Sequence, residues 1–101
     1  MESLPLAIDE MIETIGKVIR EAKKDFEKVF TECMFKYALR YPEKGDSWKR
    51  MTFEELHRCF KSEEWEFYQE FNKEDPDLIM VEGELKDMIL CLMMMFERVG
   101  K

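Results

Sequence analysis

The fold is indicated first by residues 5–39, which read PLAIDEMIETIGKVIREAKKDFEKVFTECMFKYAL. Pro5 suits the first turn of a helix, where its missing N–H has no partner to lose, and no other proline interrupts the stretch. Apolar residues recur every three or four positions, and glutamate and lysine fill the other side. This spacing predicts one long amphipathic helix, about 50 Å in length if it is unbroken.

A second helix is predicted after a short connection. Residues 41–49, YPEKGDSWK, carry the proline and glycine that favour a loop. Thr52 and Glu55 then form a capping box, in which each side chain accepts a hydrogen bond from the backbone N–H of the other residue. We therefore expect the second helix to begin at Thr52 and to end near Phe71.

The third predicted helix completes an all-α chain. Asp75 is a suitable N-cap and Pro76 a suitable first helical residue, and Gly100 follows the last apolar residue, Val99. Residues 1–101 are therefore expected to form a single all-α domain, a long helical hairpin or bundle of about three helices. Residues 88–96 are apolar on every side of the third helix, so we expect oligomerisation, as a dimer or tetramer, to complete the fold.

Charge and composition exclude several classes of protein. The formal net charge of the 101 residues is −7, which disfavours general binding to nucleic acids or anionic membranes. The longest strictly apolar run has nine residues, about half of what a membrane span needs. The three cysteines are widely spaced and odd in number, which favours reduced thiols in a cytoplasmic protein. No secretory signal is expected at the N-terminus, which lacks a basic segment.

The most informative polar residues are two acidic pairs on helix faces that should point inward. Glu63 falls within the apolar stripe of the second helix, and Glu66 lies on its flank. Glu84 and Asp87 lie on a face of the third helix that is otherwise methionine, valine and cysteine. Buried carboxylates are costly unless they are paired or bind a cation, and an oxygen-liking ion such as Mg²⁺ would fit. The alternative is that the pairs lie at a groove edge and are solvated.

A second type of metal site is less consistent with the sequence. Glu54 and His57 form the Glu-x-x-His pattern found in di-iron carboxylate bundles. That fold requires two such motifs, and this chain contains one. Glu54 also points away from the apolar face, so solvated side chains explain this pair better.

The acidic pairs give the chain a resemblance to a known family. Residues 63–66 and 84–87 read EEWE and ELKD, and they are similar to the E-E-x-x-E and E-x-x-D motifs of the MazG-like, all-α nucleoside triphosphate pyrophosphohydrolases. Ser62 stands where the family usually has its leading glutamate. The preceding GDSW (45–48) and the following MILCLMMMF (88–96) also resemble segments of some members. The resemblance covers roughly residues 40–99.

The resemblance implies hydrolysis of a nucleoside triphosphate to a monophosphate and pyrophosphate. The implied ligands of Mg²⁺, or of Mn²⁺ in its place, are Glu63, Glu66, Glu84 and Asp87. Glu70 or Glu63 is the candidate general base and Trp48 the candidate partner of the nucleobase. The candidate phosphate-binding residues are Lys36, Lys44, Lys49 and Arg50. Two alternatives remain: a non-catalytic helical oligomerisation or interaction module, and a degenerate member that binds nucleotides without turnover.

Overall fold

A computed structural model describes residues 3–100 of the chain, with side chains from residue 7 onward. Within that range it contains three α-helices, α1 (Ser3–Lys44), α2 (Phe53–Phe71) and α3 (Leu78–Arg98), and one short 3-10 turn, Ser47–Arg50. No strand occurs among these residues, so the expected all-α class is confirmed. None of the described helices combines the length and the apolar character that crossing a bilayer requires.

Helix α1 is longer than the sequence predicted, because it continues through Pro42 to Lys44. The prediction that the loop begins at Tyr41 is therefore wrong. A proline in the last turn of a helix removes only one backbone hydrogen bond, so it ends a helix less abruptly than a proline in the middle. The helix ends instead at Lys44, just before Gly45, which has a positive φ of 55° and donates its N–H to the Tyr41 carbonyl at 2.7 Å.

Helix α2 begins as predicted. The Thr52 hydroxyl accepts a hydrogen bond from the Glu55 N–H, and the Glu55 carboxylate accepts one from the Thr52 N–H, both at 3.1 Å. This reciprocal pair is the capping box that the sequence indicated. Leu56, the next residue, is almost fully buried, so the start of the helix is fixed by packing as well as by hydrogen bonds.

Helix α3 begins two residues later than predicted, because Asp77 rather than Asp75 is its N-cap. The Asp77 carboxylate accepts hydrogen bonds from the N–H groups of Ile79, at 3.0 Å, and Met80. The Asp77 N–H is itself held by the carboxylate of Glu70, at 3.0 Å. The other end agrees with the prediction, since α3 stops at Arg98 and Gly100 has a positive φ of 83°.

The chain divides into two compact units, which we call the N-terminal unit (Met1–Thr31) and the C-terminal unit (Glu32–Lys101). In the C-terminal unit α2 packs along α3, and the last turns of α1 contact α3 through Lys36. Its buried apolar residues are Cys33, Leu56, Leu90 and Met95. In the described part of the N-terminal unit the large apolar side chains are exposed, which leaves them available to a partner.

Candidate metal centre

The packing of α2 on α3 brings three of the four predicted carboxylates together. One oxygen each of Glu63, Glu84 and Asp87 lies within 4.8 Å of the others. The spacing of three residues between Glu84 and Asp87 places both on the same face of α3, which faces α2 at Glu63. Small side-chain rotations would allow such oxygens to share one oxygen-liking cation.

Glu66, the fourth predicted ligand, lies beside this group on its solvent-exposed side. Its side chain is close enough to both Glu63 and Glu84 that its negative charge raises the pKa of each. Glu63, Glu66, Glu84 and Asp87 are together called the acidic cluster below. The sequence therefore identified neighbouring residues, although one of them sits at the rim.

Two oxygens of the acidic cluster are buried without a donor. Oε2 of Glu63 and Oε2 of Glu84 are inaccessible to solvent, and no N–H or O–H group of the described residues donates a hydrogen bond to either. Buried polar atoms in folded proteins are almost always satisfied, because desolvation without a partner costs about 1–3 kcal/mol. A bound cation would supply what these oxygens lack.

Asp87 differs from the two glutamates because α1 provides it with cations. Its Oδ1 lies 2.9 Å from Nζ of Lys36 and 3.0 Å from Nη1 of Arg40. Lys36 also donates a hydrogen bond to the Gly83 carbonyl at 2.8 Å, which ties α1 to α3. When all four carboxylates of the acidic cluster are ionised, Lys36 and Arg40 offset half of their four negative charges. The two charges that remain match one divalent cation.

Arg40, like Lys36, is a member of this site that the sequence did not identify as a partner of the acidic cluster. Its position four residues after Lys36 on one helix places the two cations on the same face, which was the available signal. This spacing indicates an acidic partner only once the packing of α1 against α3 is known. Lys36 was predicted to bind phosphate, but its ammonium group contacts Asp87 and Gly83.

Glu63 and Glu84 resist ionisation in the metal-free protein. Burial, and then the negative charges of Asp87, Glu66 and Glu84, raises the pKa of Glu63 to about 7. Burial likewise raises the pKa of Glu84, with Glu66 as the next contributor. At neutral pH the site therefore favours the uptake of positive charge, either as protons or as a metal ion.

We expect these pKa shifts to make the metal-free protein less stable as the pH rises from about 4.5 to about 7. The folded state holds a proton on Glu63 in this range that the unfolded chain has released, so raising the pH favours unfolding. Glu70 affects stability at lower pH. Its pKa is lowered, so the stability that its ionised carboxylate contributes is lost only as the solution becomes acidic. Thermal unfolding in EDTA between pH 5 and pH 8 measures this. The decrease of the melting temperature with rising pH should be smaller in Glu63→Gln than in the parent protein. An equal decrease in both proteins would contradict the assignment of this pH dependence to Glu63.

A cavity of about 170 Å³ adjoins the acidic cluster. Glu63 and Asp87 line it on one side, and the aromatic side chains of Tyr37, Tyr41 and Trp48 line it on another. The cavity is smaller than the roughly 300–1,000 Å³ of sites that enclose a whole ligand, so its size suits one ring system rather than a complete nucleotide.

Two of the predicted substrate-binding residues lie at this cavity. Trp48 is held in place by a hydrogen bond from its indole N–H to the Tyr37 hydroxyl, at 3.0 Å. Lys44 contributes a cation to the lining, at the end of α1. The sequence identified both residues, but it did not identify Tyr37, which lies on α1 eleven positions before Trp48.

The other two basic candidates point elsewhere. Lys49 and Arg50 form ion pairs with Asp46, at 3.9 Å and 3.6 Å, and both are exposed. Neither residue lines the cavity beside the acidic cluster. The structure therefore does not bring them to the carboxylates.

Glu70, a candidate general base, has a structural partner set of its own. Its buried carboxylate accepts hydrogen bonds from Nζ of Lys73 and from the N–H of Asp77. The hydrogen bond from Lys73 is the main reason that its pKa is lowered. Glu70 thus closes the turn between α2 and α3, and it is not among the residues that converge. Glu54 and His57 are exposed and also lie outside the convergent group.

Comparison with known proteins does not assign the chain to a family. No family model, no curated protein and no solved structure matches it. The function of the acidic cluster and of the adjoining cavity has to be inferred from their own chemistry.

Proposed function

We propose that this protein is a Mg²⁺-dependent nucleoside triphosphate pyrophosphohydrolase of the MazG-like type, which releases a monophosphate and pyrophosphate. The supporting observation is that Glu63, Glu84 and Asp87 converge within 4.8 Å. These residues belong to the two acidic patterns on which the family resemblance rests. The unpartnered oxygens of Glu63 and Glu84 support a cation at this position rather than a set of solvated surface acids.

The metal would be held by Glu63, Glu84 and Asp87, with Glu66 at the rim. Carboxylate oxygens are the ligands that Mg²⁺ prefers, and Mn²⁺ accepts the same set. When bound, such an ion neutralises phosphate oxygens and lowers the pKa of a coordinated water. Lys36 and Arg40 act as positioning residues in this proposal, because their ion pairs fix the orientation of the Asp87 carboxylate.

Glu63 is the better candidate for the general base. Its carboxylate has two oxygens, so one can bind the cation while the other accepts a proton from an attacking water. Glu70 has both carboxylate oxygens engaged, by Lys73 and by Asp77, and would have to break those contacts first. We therefore give Glu70 a structural role in the turn.

The cavity beside the acidic cluster is the proposed place of the nucleobase. Trp48, fixed by Tyr37, offers an aromatic face, and Tyr41 lies in the same lining. Lys44 is the basic residue of the lining that best suits a phosphate group. Lys49 and Arg50 could assist only after leaving Asp46, since their present ion pairs are made with that residue.

We also propose that the protein works as a homo-oligomer, dimer or tetramer, in the cytoplasm. Several large apolar side chains are strongly exposed, including Ile79 at 83% and Phe96 at 81%. Apolar surface of this extent usually marks an interface. The same observation favours the second candidate function, a non-catalytic interaction module. The three free cysteines agree with a reducing compartment.

One assay separates these functions. The purified protein is incubated with each of the common ribo- and deoxyribonucleoside triphosphates and Mg²⁺, and the products are identified. The proposal predicts pyrophosphate and a monophosphate as the first products, and loss of both in EDTA. Orthophosphate as the first product would refute it. Nucleotide binding without any product would instead indicate the degenerate family member, and neither binding nor turnover would indicate the interaction module.

A further inference from the structure

The N-terminal unit carries an apolar seam that nothing in the described structure covers. Its members alternate in steps of four and three residues, which is the heptad spacing of a coiled coil. They are Ile8, Ile12, Ile15, Ile19, Ala22 and Phe26, called the α1 seam below. Ile12 is 61% exposed, Ile15 is 54% exposed and Phe26 is 65% exposed. Two helices with such a seam can bury it against each other.

The charges beside the α1 seam are arranged asymmetrically along the helix. The charged residues among 7–16 are all acidic, whereas the charged residues among 17–24 are basic apart from Glu21. Two copies in parallel would set acid beside acid and base beside base. Two antiparallel copies would set the acidic part of each against the basic part of the other. Opposite charges attract across such an interface and like charges repel, so the pattern selects the antiparallel arrangement.

We infer that the α1 seam pairs antiparallel with the same segment of a second copy of this chain. The pairing gives the proposed oligomer a specific surface, and it does not depend on the catalytic proposal. Ile15 then packs opposite Ile19 of the partner subunit, and Ile12 opposite the smaller Ala22 of the partner subunit. Ile8 faces Phe26 of the partner subunit.

The register is fixed by one flank of the α1 seam, the side that carries Asp9, Glu13, Arg20 and Lys23. In an antiparallel pair each flank faces the same flank of the partner, so Asp9 meets Lys23 of the partner subunit and Glu13 meets Arg20 of the partner subunit. A shift of one heptad in one direction brings Glu13 against itself, and a shift in the other direction brings Arg20 against itself. Both shifts are disfavoured because like charges would then face each other.

Gly16 lies at the centre of this arrangement, next to its own counterpart. A Cβ atom at Gly16 would have as its nearest neighbour Nη1 of Arg20, at 3.4 Å, the end of a flexible side chain. The position therefore accepts a cysteine, which can report on the pairing. In a parallel pair residue 16 would face Met11 of the partner subunit instead of itself.

The first test is cross-linking of Gly16→Cys with a short bismaleimide, in a Cys59→Ser background because Cys59 is exposed. Lys17→Cys in the same background is the matched control, since residue 17 lies on the polar side of α1. We expect a covalent dimer from Gly16→Cys and at least tenfold less from Lys17→Cys. Equal yields, or no covalent dimer from Gly16→Cys, would overturn the antiparallel register.

The second test measures mass by light scattering. The parent should have an even multiple of its 12.3 kDa protomer mass at micromolar concentration. Ile15→Asp should raise the dissociation constant at least a hundredfold, while Lys17→Asp should leave it within a fewfold. Ile15 is exposed in the protomer, so its replacement should not disturb the fold of the protomer, and helix content by circular dichroism checks this. A monomeric parent at 100 μM, or equal weakening by both variants, would overturn the inference.

Discussion

Replacing Glu63 by glutamine is expected to reduce pyrophosphate release by about a hundredfold or more, the scale of loss seen when one preorganised electrostatic group is removed from an active site. Glutamine keeps the size of the side chain but removes the negative charge that would bind the metal. It also removes the basic oxygen that would accept the proton of the attacking water. Initial rates of pyrophosphate formation at saturating Mg²⁺ measure the effect.

Glu54→Gln is the matched control for this experiment. It is the same chemical change on the same helix, and Glu54 is exposed and lies outside the convergent group. We expect its rate to stay within about twofold of the parent. Equal losses in the two variants would contradict the assignment of Glu63 and would direct attention to a different site.

Mg²⁺ is expected to raise the melting temperature of the parent protein by an amount on the order of 10 °C. A ligand that binds only the folded state stabilises it by about 2.7 kcal/mol at a hundredfold excess over its dissociation constant. In a domain of this size that free energy corresponds to such a shift. Thermal unfolding with Mg²⁺ and with EDTA gives the two melting temperatures. Equal values in both buffers would count against a preformed site.

Glu84→Gln is the variant that isolates the metal in this experiment. It should lose most of the Mg²⁺ shift, while its metal-free form should be at least as stable as the parent because the raised pKa of Glu84 reflects burial and repulsion from Glu66. Asp87→Asn is less suitable, since it would leave Lys36 and Arg40 without their carboxylate. Glu54→Gln should keep the full shift. A Glu84→Gln protein that also keeps it would contradict the site.

Much of the fold follows from interactions between residues that are close in sequence. The capping box of Thr52 and Glu55 and the stop at Gly100 are set by backbone hydrogen bonds and by a positive φ within a single turn. The direction of Glu63 and Glu84 within their helices follows from the helical repeat alone. Local rules are sufficient for such features, so the sequence predicted them.

The local rules were insufficient where two signals competed. Asp75 followed by Pro76 is a reasonable helix start, but Asp77 caps α3 because its N–H is held by Glu70 from α2. Pro42 suggested the end of α1, but the helix continues to the left-handed Gly45. Each choice depends on which hydrogen bonds the surrounding chain can provide.

The sequence by itself determined three helices and the inward direction of Glu63, Glu84 and Asp87, because helical periodicity and capping act over a few residues. Only the tertiary structure decided which groups meet. It set Glu63 against Glu84 and Asp87, and it brought Lys36 and Arg40 from α1 to Asp87, 47 positions beyond Arg40. Contacts between such distant residues depend on how whole helices pack, which a residue-by-residue pattern does not contain.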